Sequence, residues 1–90
     1  MLKKAIITVT GKVQGVFYRV WAKEQADELA LVGFARNESD GSVLVVVEGE
    51  EEMINELITR CRSGSDSAEV TDVRVEWRDA NGNFADFSIQ

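Results

Sequence analysis

The apolar and polar positions of this chain repeat first with the period of a strand and then with the period of a helix. Residues 4–10 are rich in β-branched side chains, which predicts a first strand. Across residues 21–31 the apolar side chains recur at helical spacing, which predicts a helix that begins near Val20 or Trp21. Gly33 is expected to end this helix, because glycine readily adopts the left-handed conformation found just past helix ends.

The middle of the chain predicts a hairpin followed by a second helix. Residues 38–41 read Glu-Ser-Asp-Gly, and Asp-Gly is a strong turn signal between two strands. The strand after the turn, residues 43–47, is almost wholly apolar, so we expect it at the centre of the sheet. Glutamates at residues 50–52 favour a helix start there, since carboxylates stabilise the N-terminal end of the helix dipole. Residues 63–65 are expected to stop this helix.

Two further strands complete the pattern. Val73, Val75 and Trp77 alternate with polar residues, and Phe87 and Ile89 indicate a short final strand. The order strand-helix-strand-strand-helix-strand, plus the short terminal strand, predicts an α+β fold of ferredoxin-like type. Such a fold is a two-layer sandwich, with two helices on one face of an antiparallel sheet. Many functions use it, so the fold alone does not identify one.

Composition limits the possible classes of protein. The chain has 90 residues and no linker or repeat, so residues 1–90 are expected to form a single domain. The net charge of −6 argues against nucleic acid as the partner, because phosphate backbones are bound by basic surfaces. Histidine is absent, which excludes an imidazole base, a Cys–His pair and a histidine-based metal site. Glu48 and the glutamates at 50–52 are expected to serve the helix dipole rather than a metal.

Two sequence features bear on location and assembly. The N-terminal apolar stretch is too short for a secretory signal, and no run of about 20 apolar residues suggests a membrane span. The single cysteine, Cys61, lies on the apolar stripe of the second helix and is expected in the core. We therefore expect a cytoplasmic protein without a membrane partner, and a monomer is the default for so small a domain.

The segment between the first strand and the first helix is a candidate anion site. Residues 11–19 read Gly-Lys-Val-Gln-Gly-Val-Phe-Tyr-Arg. A glycine-bearing loop that opens a helix turns backbone N–H groups inward, and the helix N-terminus adds partial positive charge. Arg19, which closes the loop, carries a planar fork of donors suited to an anion.

This loop and a second segment together resemble the acylphosphatase family. The match runs through residues 11–19, Gly-Phe-Ala-Arg-Asn at 33–37, Asp-Gly-Ser-Val at 40–43, and Gly49. The resemblance covers the order of elements along the whole chain. The chain also departs from the family, which often has glycine where Ala30 stands.

The resemblance assigns roles to individual residues. It implies that Arg19 binds the phosphate in catalysis and that Asn37 positions the attacking water. It also implies a cradle made by the backbone amides of Gln14, Gly15, Val16, Phe17, Tyr18 and Arg19. The implied substrate is a small acyl phosphate, with inorganic phosphate as product and inhibitor, and no cofactor or metal is required.

The chemistry of the residues agrees with this assignment. Neither Arg19 nor Asn37 can act as a base, but both can position groups and stabilise charge, which is what phosphoryl transfer needs most. An acyl phosphate releases a weakly basic carboxylate, so a strong general acid is unnecessary. The sequence therefore predicts hydrolysis to a carboxylate and inorganic phosphate, without a metal or a covalent intermediate.

Two other classes of function remain open at this point. A non-catalytic module that binds phosphate or acyl phosphate would use the same loop without turnover. An RNA-binding domain shares the order of elements, but it would place exposed aromatic residues on its central strands, and residues 43–47 contain none. Taken singly, Arg19 is also compatible with a solvated charge and Asn37 with a turn residue.

Overall fold

The computed structural model describes residues 1–90 and contains seven regular elements. They are β1 (Leu2–Lys12), α1 (Tyr18–Glu28), β2 (Val32–Asn37), β3 (Val43–Glu50), α2 (Glu51–Ser63), β4 (Glu69–Asp79) and β5 (Phe87–Ile89). The predicted order of strands and helices is confirmed, as is the ferredoxin-like α+β class.

The sheet has the order β4-β1-β3-β2-β5, so the apolar strand β3 is central as expected. Neighbouring strands are antiparallel, except that β5 runs parallel to β2. The predicted antiparallel sheet is therefore confirmed for β1 to β4, and the short strand β5 adds one parallel pairing at an edge. After β4 the chain crosses to the opposite edge of the sheet, and it enters β5 in the direction of β2.

Both helices pack on the same face of this sheet. Ala5, Ile7 and Val9 of β1 lie opposite Val47, Val45 and Val43 of β3, and all six side chains are buried. The helices contribute to the same core, with Ala22 and Ala26 from α1 and Ile54, Leu57 and Cys61 from α2. Small alanines on α1 allow it to approach the sheet closely. Burial raises the pKa of the Cys61 thiol to about 11, so this cysteine belongs to the core and is not a reactive group.

Helix α1 begins at Tyr18, two to three residues earlier than predicted. Phe17 is its N-cap residue and has a left-handed backbone, with φ 61° and ψ 26°. The backbone N–H of Trp21 donates to the Phe17 carbonyl at 3.0 Å, which is the first bond of the helix. Arg19 therefore lies in the first helical turn and not in the preceding loop.

The end of α1 also differs from the prediction, because Ala30 and not Gly33 provides the left-handed residue. Ala30 has φ 57°. The Leu31 N–H donates to the Ala26 carbonyl at 2.9 Å, and the Ala30 N–H to the Asp27 carbonyl at 3.2 Å. These are the two bonds of a Schellman motif. Gly33 lies beyond the helix, within β2.

Glu48 lies in β3 and holds the segment that crosses from β4 to β5. Its carboxylate is 5% exposed and accepts the backbone N–H groups of Asn81 at 3.3 Å and Gly82 at 3.0 Å. Lys4 lies 3.9 Å from the same carboxylate. The expectation that Glu48 serves the dipole of α2 is therefore wrong, since its partners are the backbone of the crossing segment.

Candidate active site

A cavity of about 210 Å³ lies where β1 passes into α1, beside the last residue of β2. It is lined by Val13, Gly15, Phe17, Tyr18, Arg19, Val20, Asn37 and Ile89. The fold thus brings Asn37 to one cavity with four of the six predicted loop residues, one of which is Arg19. Gln14 and Val16 do not line it.

The loop has the backbone geometry of an anion-binding nest. Gly15 has φ 75° and Phe17 has φ 61°, whereas Val16 between them and Tyr18 after them do not have positive φ. Alternation of this kind turns successive N–H groups toward one concave side of the chain. No atom lies within 4 Å of where a Cβ on Gly15 would stand, so the backbone conformation and not lack of space favours glycine there.

Arg19 forms no salt bridge with an aspartate or glutamate side chain. Its Nη1 donates to the backbone carbonyl of Gln90 at 2.7 Å, and it takes part in none of the salt bridges of the molecule. A guanidinium has five N–H donors, so the bond to Gln90 leaves most of them available. Arg19 is also the only charged residue that lines the cavity.

Asn37 ends β2 on the face that carries the helices. It pairs with Val43 of β3 and is half-buried, and its side-chain amide has no hydrogen-bond partner within the protein. The amide can therefore both donate to and accept from a bound molecule. Arg36, one position earlier, is exposed and forms a salt bridge to Glu38 at 3.0 Å. Strand alternation places the Arg36 side chain on the opposite face of β2 from Asn37, in agreement with this exposure.

Gln14 connects the loop to the β2–β3 hairpin. Its Nε2 donates to the carbonyls of Glu38 at 2.7 Å and Ser42 at 2.8 Å. The hairpin is itself braced, because the Asp40 carboxylate accepts the Ser42 hydroxyl at 2.6 Å and the Ser42 N–H at 2.9 Å. These bonds lower the pKa of Asp40. The side chain of Gln14 therefore links the loop to the hairpin through two hydrogen bonds. Val16 packs against the core.

Tyr18 forms part of the cavity wall, and its hydroxyl faces away from the cavity. The hydroxyl donates to the Cys61 carbonyl of α2 at 3.1 Å. Burial raises the pKa of Tyr18 strongly, so the phenol stays protonated. Its ring lies 5.1 Å from that of Trp21, between centroids. The tyrosine thus positions the start of α1 and offers no proton to the cavity.

Val20 and Ile89 line the cavity and the Gln90 main-chain oxygen accepts a hydrogen bond from Arg19, and the sequence revealed neither feature. The apolar side chains of Val20 and Ile89 resemble core residues in a hydropathy pattern, yet both are exposed at the cavity. Their only signal is that each lies next to a residue of the site, Val20 beside Arg19 and Ile89 beside Gln90. Exposure itself depends on tertiary packing.

Comparison with known proteins identifies the family. A family model described as Acylphosphatase matches residues 5–89. The chain belongs to the acylphosphatase family. An acylphosphatase of Pelotomaculum thermopropionicum is 44% identical over 86 residues, which are 96% of this chain and 94% of that protein. An acylphosphatase of Methylococcus capsulatus is 40% identical over 88 residues, 98% of this chain and 96% of the relative.

Solved acylphosphatase structures share the fold. The crystal structure of acylphosphatase from Bacillus subtilis superposes with a TM-score of 0.94 at 33% identity, covering 100% of this chain and 99% of that one. Full-length HypF, crystallised in a phosphate- and nucleotide-bound form, contains a similar region with a TM-score of 0.91 at 25% identity. That region is 12% of the HypF chain. The acylphosphatase fold therefore also occurs as a small part of a longer protein.

Family membership defines the activity in outline. Acylphosphatases hydrolyse acyl phosphates, so this protein is a hydrolase with a small acyl phosphate as substrate and phosphate as product. None of its helices is long and apolar enough to cross a membrane.

Proposed function

We propose that this acylphosphatase catalyses direct attack of water on the phosphorus atom of an acyl phosphate, at the cavity between α1 and β2. The loop amides and Arg19 bind the phosphoryl group, and Asn37 positions the water. The observation that supports this proposal is the convergence of Arg19, Asn37 and the nest-forming loop on one cavity.

The phosphoryl group is bound by donors that need no rearrangement. The amides from Gln14 to Arg19 lie in the nest and at the N-terminal end of α1, where partial positive charge accumulates. Arg19 adds a positive charge that no aspartate or glutamate side chain competes for. Such preorganised donors stabilise the charge on the equatorial oxygens of the transition state. The overall charge of −6 opposes binding of an anion, so these local groups must supply the attraction.

The attacking water is held by the side-chain amide of Asn37. Its oxygen accepts a hydrogen bond from the water and thereby directs a water lone pair at phosphorus. As the bond from water to phosphorus forms, the bond from phosphorus to the acyl oxygen breaks, and the electron pair leaves with the carboxylate. The water proton passes to a phosphoryl oxygen, which gives dihydrogen phosphate or its conjugate base. Atoms and charges balance without a protein base.

The leaving group explains why this residue set is sufficient. A carboxylate is a weak base and departs without protonation, so neither a histidine nor a metal-bound water is needed. The sequence contains no histidine, in agreement with this requirement. A phosphomonoester would release an alkoxide and is expected to be a poor substrate. All residues of the proposed site come from one chain, so we expect the monomer to be active.

Hydrolysis of benzoyl phosphate in the presence of EDTA tests the proposal. We expect turnover by the native protein, competitive inhibition by inorganic phosphate, and no stimulation by added divalent metal. Binding of phosphate without turnover would instead indicate the non-catalytic module. Dependence on a divalent metal would contradict the proposed mechanism.

Two variants separate the roles of the site residues. Asn37→Ala should lower kcat by about 100-fold and leave phosphate inhibition nearly unchanged, because it removes only the positioning of water. Arg19→Gln should lower kcat and also weaken phosphate inhibition by about 10-fold or more. Arg62→Gln and Asn55→Ala are matched controls, since both residues are exposed on α2, outside the cavity. Unchanged phosphate affinity in Arg19→Gln would contradict its assigned role.

A further inference from the structure

The rim of the active-site cavity is more apolar than phosphate binding requires. Only six large hydrophobic residues of the protein are exposed, and three of them line this cavity. They are Phe17, Val20 and Ile89, with 81%, 45% and 41% of their surface exposed. They come from three different elements: the loop, α1 and β5. Single exposed apolar side chains are ordinary, but three that converge on one cavity form a patch with a ligand-binding character.

Phe17 is the most informative of the three. Its backbone is left-handed, a conformation that glycine or asparagine adopts with less strain than a bulky residue. The ring makes no compensating core contact, because the side chain is almost wholly in solvent. Neither loop geometry nor packing therefore accounts for a phenylalanine at this position. Contact between the ring and a molecule bound in the cavity accounts for a phenylalanine there.

All three side chains border the proposed phosphoryl site. Phe17 and Val20 flank Arg19 in sequence, and Ile89 precedes Gln90, whose carbonyl accepts the bond from Arg19 at 2.7 Å. In an acyl phosphate only one oxygen atom separates phosphorus from the acyl carbon. A substrate held at its phosphoryl end by Arg19 and the loop amides therefore places its acyl group against this rim.

The same rim has no group that would bind a charged acyl chain. Arg19 is the only charged residue that lines the cavity, and its guanidinium is already occupied by the phosphoryl group. A second carboxylate or phosphate on the acyl chain would meet apolar carbon and the field of a protein with net charge −6. An uncharged acyl group avoids both this desolvation and this electrostatic repulsion.

We propose that Phe17, Val20 and Ile89 form an acyl-group subsite that selects acyl phosphates with an apolar, uncharged acyl group. This inference rests on the proposed function of the cavity and adds the substrate class. Aromatic or branched aliphatic acyl phosphates gain contact with the rim, small ones such as acetyl phosphate gain little, and those whose acyl group carries its own carboxylate, such as succinyl phosphate, gain none.

The test compares kcat/KM for benzoyl, acetyl and succinyl phosphate. The native protein should prefer benzoyl over both other substrates. Phe17→Ala and Ile89→Ala should each lower the benzoyl-to-acetyl ratio by about fivefold, because they remove apolar contact with only one of the two substrates. The benzoyl-to-acetyl ratio of kcat/KM is the informative quantity. Damage to the phosphate cradle lowers kcat/KM for both substrates equally, so it cancels in the ratio. Phe17→Leu should retain most of the native ratio.

Leu2→Ala is the control, since Leu2 is 62% exposed at the far end of β1 and should leave the ratio unchanged. A ratio that stays native in both Phe17→Ala and Ile89→Ala overturns the subsite, and so does a native preference for succinyl phosphate. Absence of hydrolysis of all three substrates by the native protein would be a different result, because it overturns the proposed function and the subsite with it.

Discussion

Phe17 and Ala30 are the two residues other than glycine with a left-handed backbone, and they sit at opposite ends of α1. Phe17 lies in the cavity, where its conformation shapes the nest and directs its ring to the rim. Strained backbone of this kind is characteristic of functional sites. Ala30 has no such role, because its conformation only completes the Schellman motif at the end of the helix. The strain at Ala30 therefore reduces stability and is not needed for activity.

Replacing Ala30 with glycine should stabilise the protein. Glycine adopts the left-handed conformation without the clash of a Cβ, and we expect the free energy of unfolding to rise by about 1 kcal/mol. For a domain of this size the melting temperature should rise by about 5 °C. Urea and thermal unfolding measure the effect. Ala80→Gly is the control, because Ala80 has no positive φ and should gain nothing. Equal changes in the two variants would contradict the argument.

At the residue scale, the sequence indicated candidate site residues more readily than it indicated backbone conformations. Arg19 and Asn37 stood out because a polar group in a recurring motif is visible in the sequence itself. Ala30 did not, because a helix end is signalled by glycine, and Gly33 offered that signal three residues too late. The left-handed state of Ala30 is imposed by the packing of Leu31 into the core, which sequence reasoning does not contain.

At the scale of elements, the site depends on how the loop before α1 is placed against the β2–β3 hairpin. The loop carries the amides that we propose to bind phosphate and the hairpin carries Asn37, and no helix or strand includes both. Gln14 provides the direct connection, through two short hydrogen bonds to hairpin carbonyls. Under the proposed mechanism, Gln14 is therefore a positioning residue that helps to set the distance between the phosphoryl group and the water, although it does not line the cavity.

Gln14→Ala should reduce kcat more than it reduces phosphate binding. In the proposed mechanism phosphate contacts the loop amides and Arg19, whereas the attack of water also requires the hairpin that carries Asn37 to be correctly placed, and small displacements cost about 10-fold or more in rate. Loss of the hydrogen bonds should also lower the free energy of unfolding by about 1 kcal/mol or more. Kinetics, phosphate inhibition and urea unfolding give the three readouts.

Gln25→Ala provides the matched control for that variant. Gln25 is a half-buried glutamine on α1 that accepts a hydrogen bond from Arg60 at 2.9 Å, outside the cavity. It should lose stability without a selective loss of kcat. A native kcat in Gln14→Ala would show that the hairpin holds Asn37 in place without the hydrogen bonds from Gln14.

The elements themselves were largely predictable, and the exceptions share a cause. Alternation and helical periodicity placed β1 to β4 and both helices, because their apolar side chains recur at strand or helix spacing, even in β4, where only Val73 is buried. Strand β5 has three residues, and its parallel pairing with β2 depends on a crossing of the chain that no local pattern encodes. The contribution of β5 to the cavity, through Ile89 and the Gln90 carbonyl, was hidden for the same reason.

At the scale of the whole molecule, the segment from Ala80 to Asp86 joins the two edges of the sheet and delivers β5 to the active site. Glu48 holds its start through the backbone of Asn81 and Gly82, and Phe84 packs against Phe34 with ring centroids 6.0 Å apart. The other end is held where the Gly33 N–H donates to the Asp86 carbonyl at 2.9 Å. The buried carboxylate of Glu48, near the end of β3, thus supports β5. The main-chain oxygen of Gln90, directly after β5, binds Arg19 near the opposite end of β3.

Glu48→Gln tests whether the carboxylate holds this crossing. The amide keeps the shape of the side chain but turns one acceptor into a donor that faces a backbone N–H, which should cost about 2 kcal/mol of unfolding free energy. Amide hydrogen exchange at residues 87–90 should accelerate more than at β1 or β3, because the loss is local to the segment that leads into β5. Glu24→Gln, an exposed change on α1 without a salt-bridge partner, should alter neither measurement. If Glu48→Gln unfolds at the native urea concentration, the crossing is held by Phe84 and Asp86 instead, because the packing of an aromatic ring and one backbone bond would then suffice to carry β5 across the sheet.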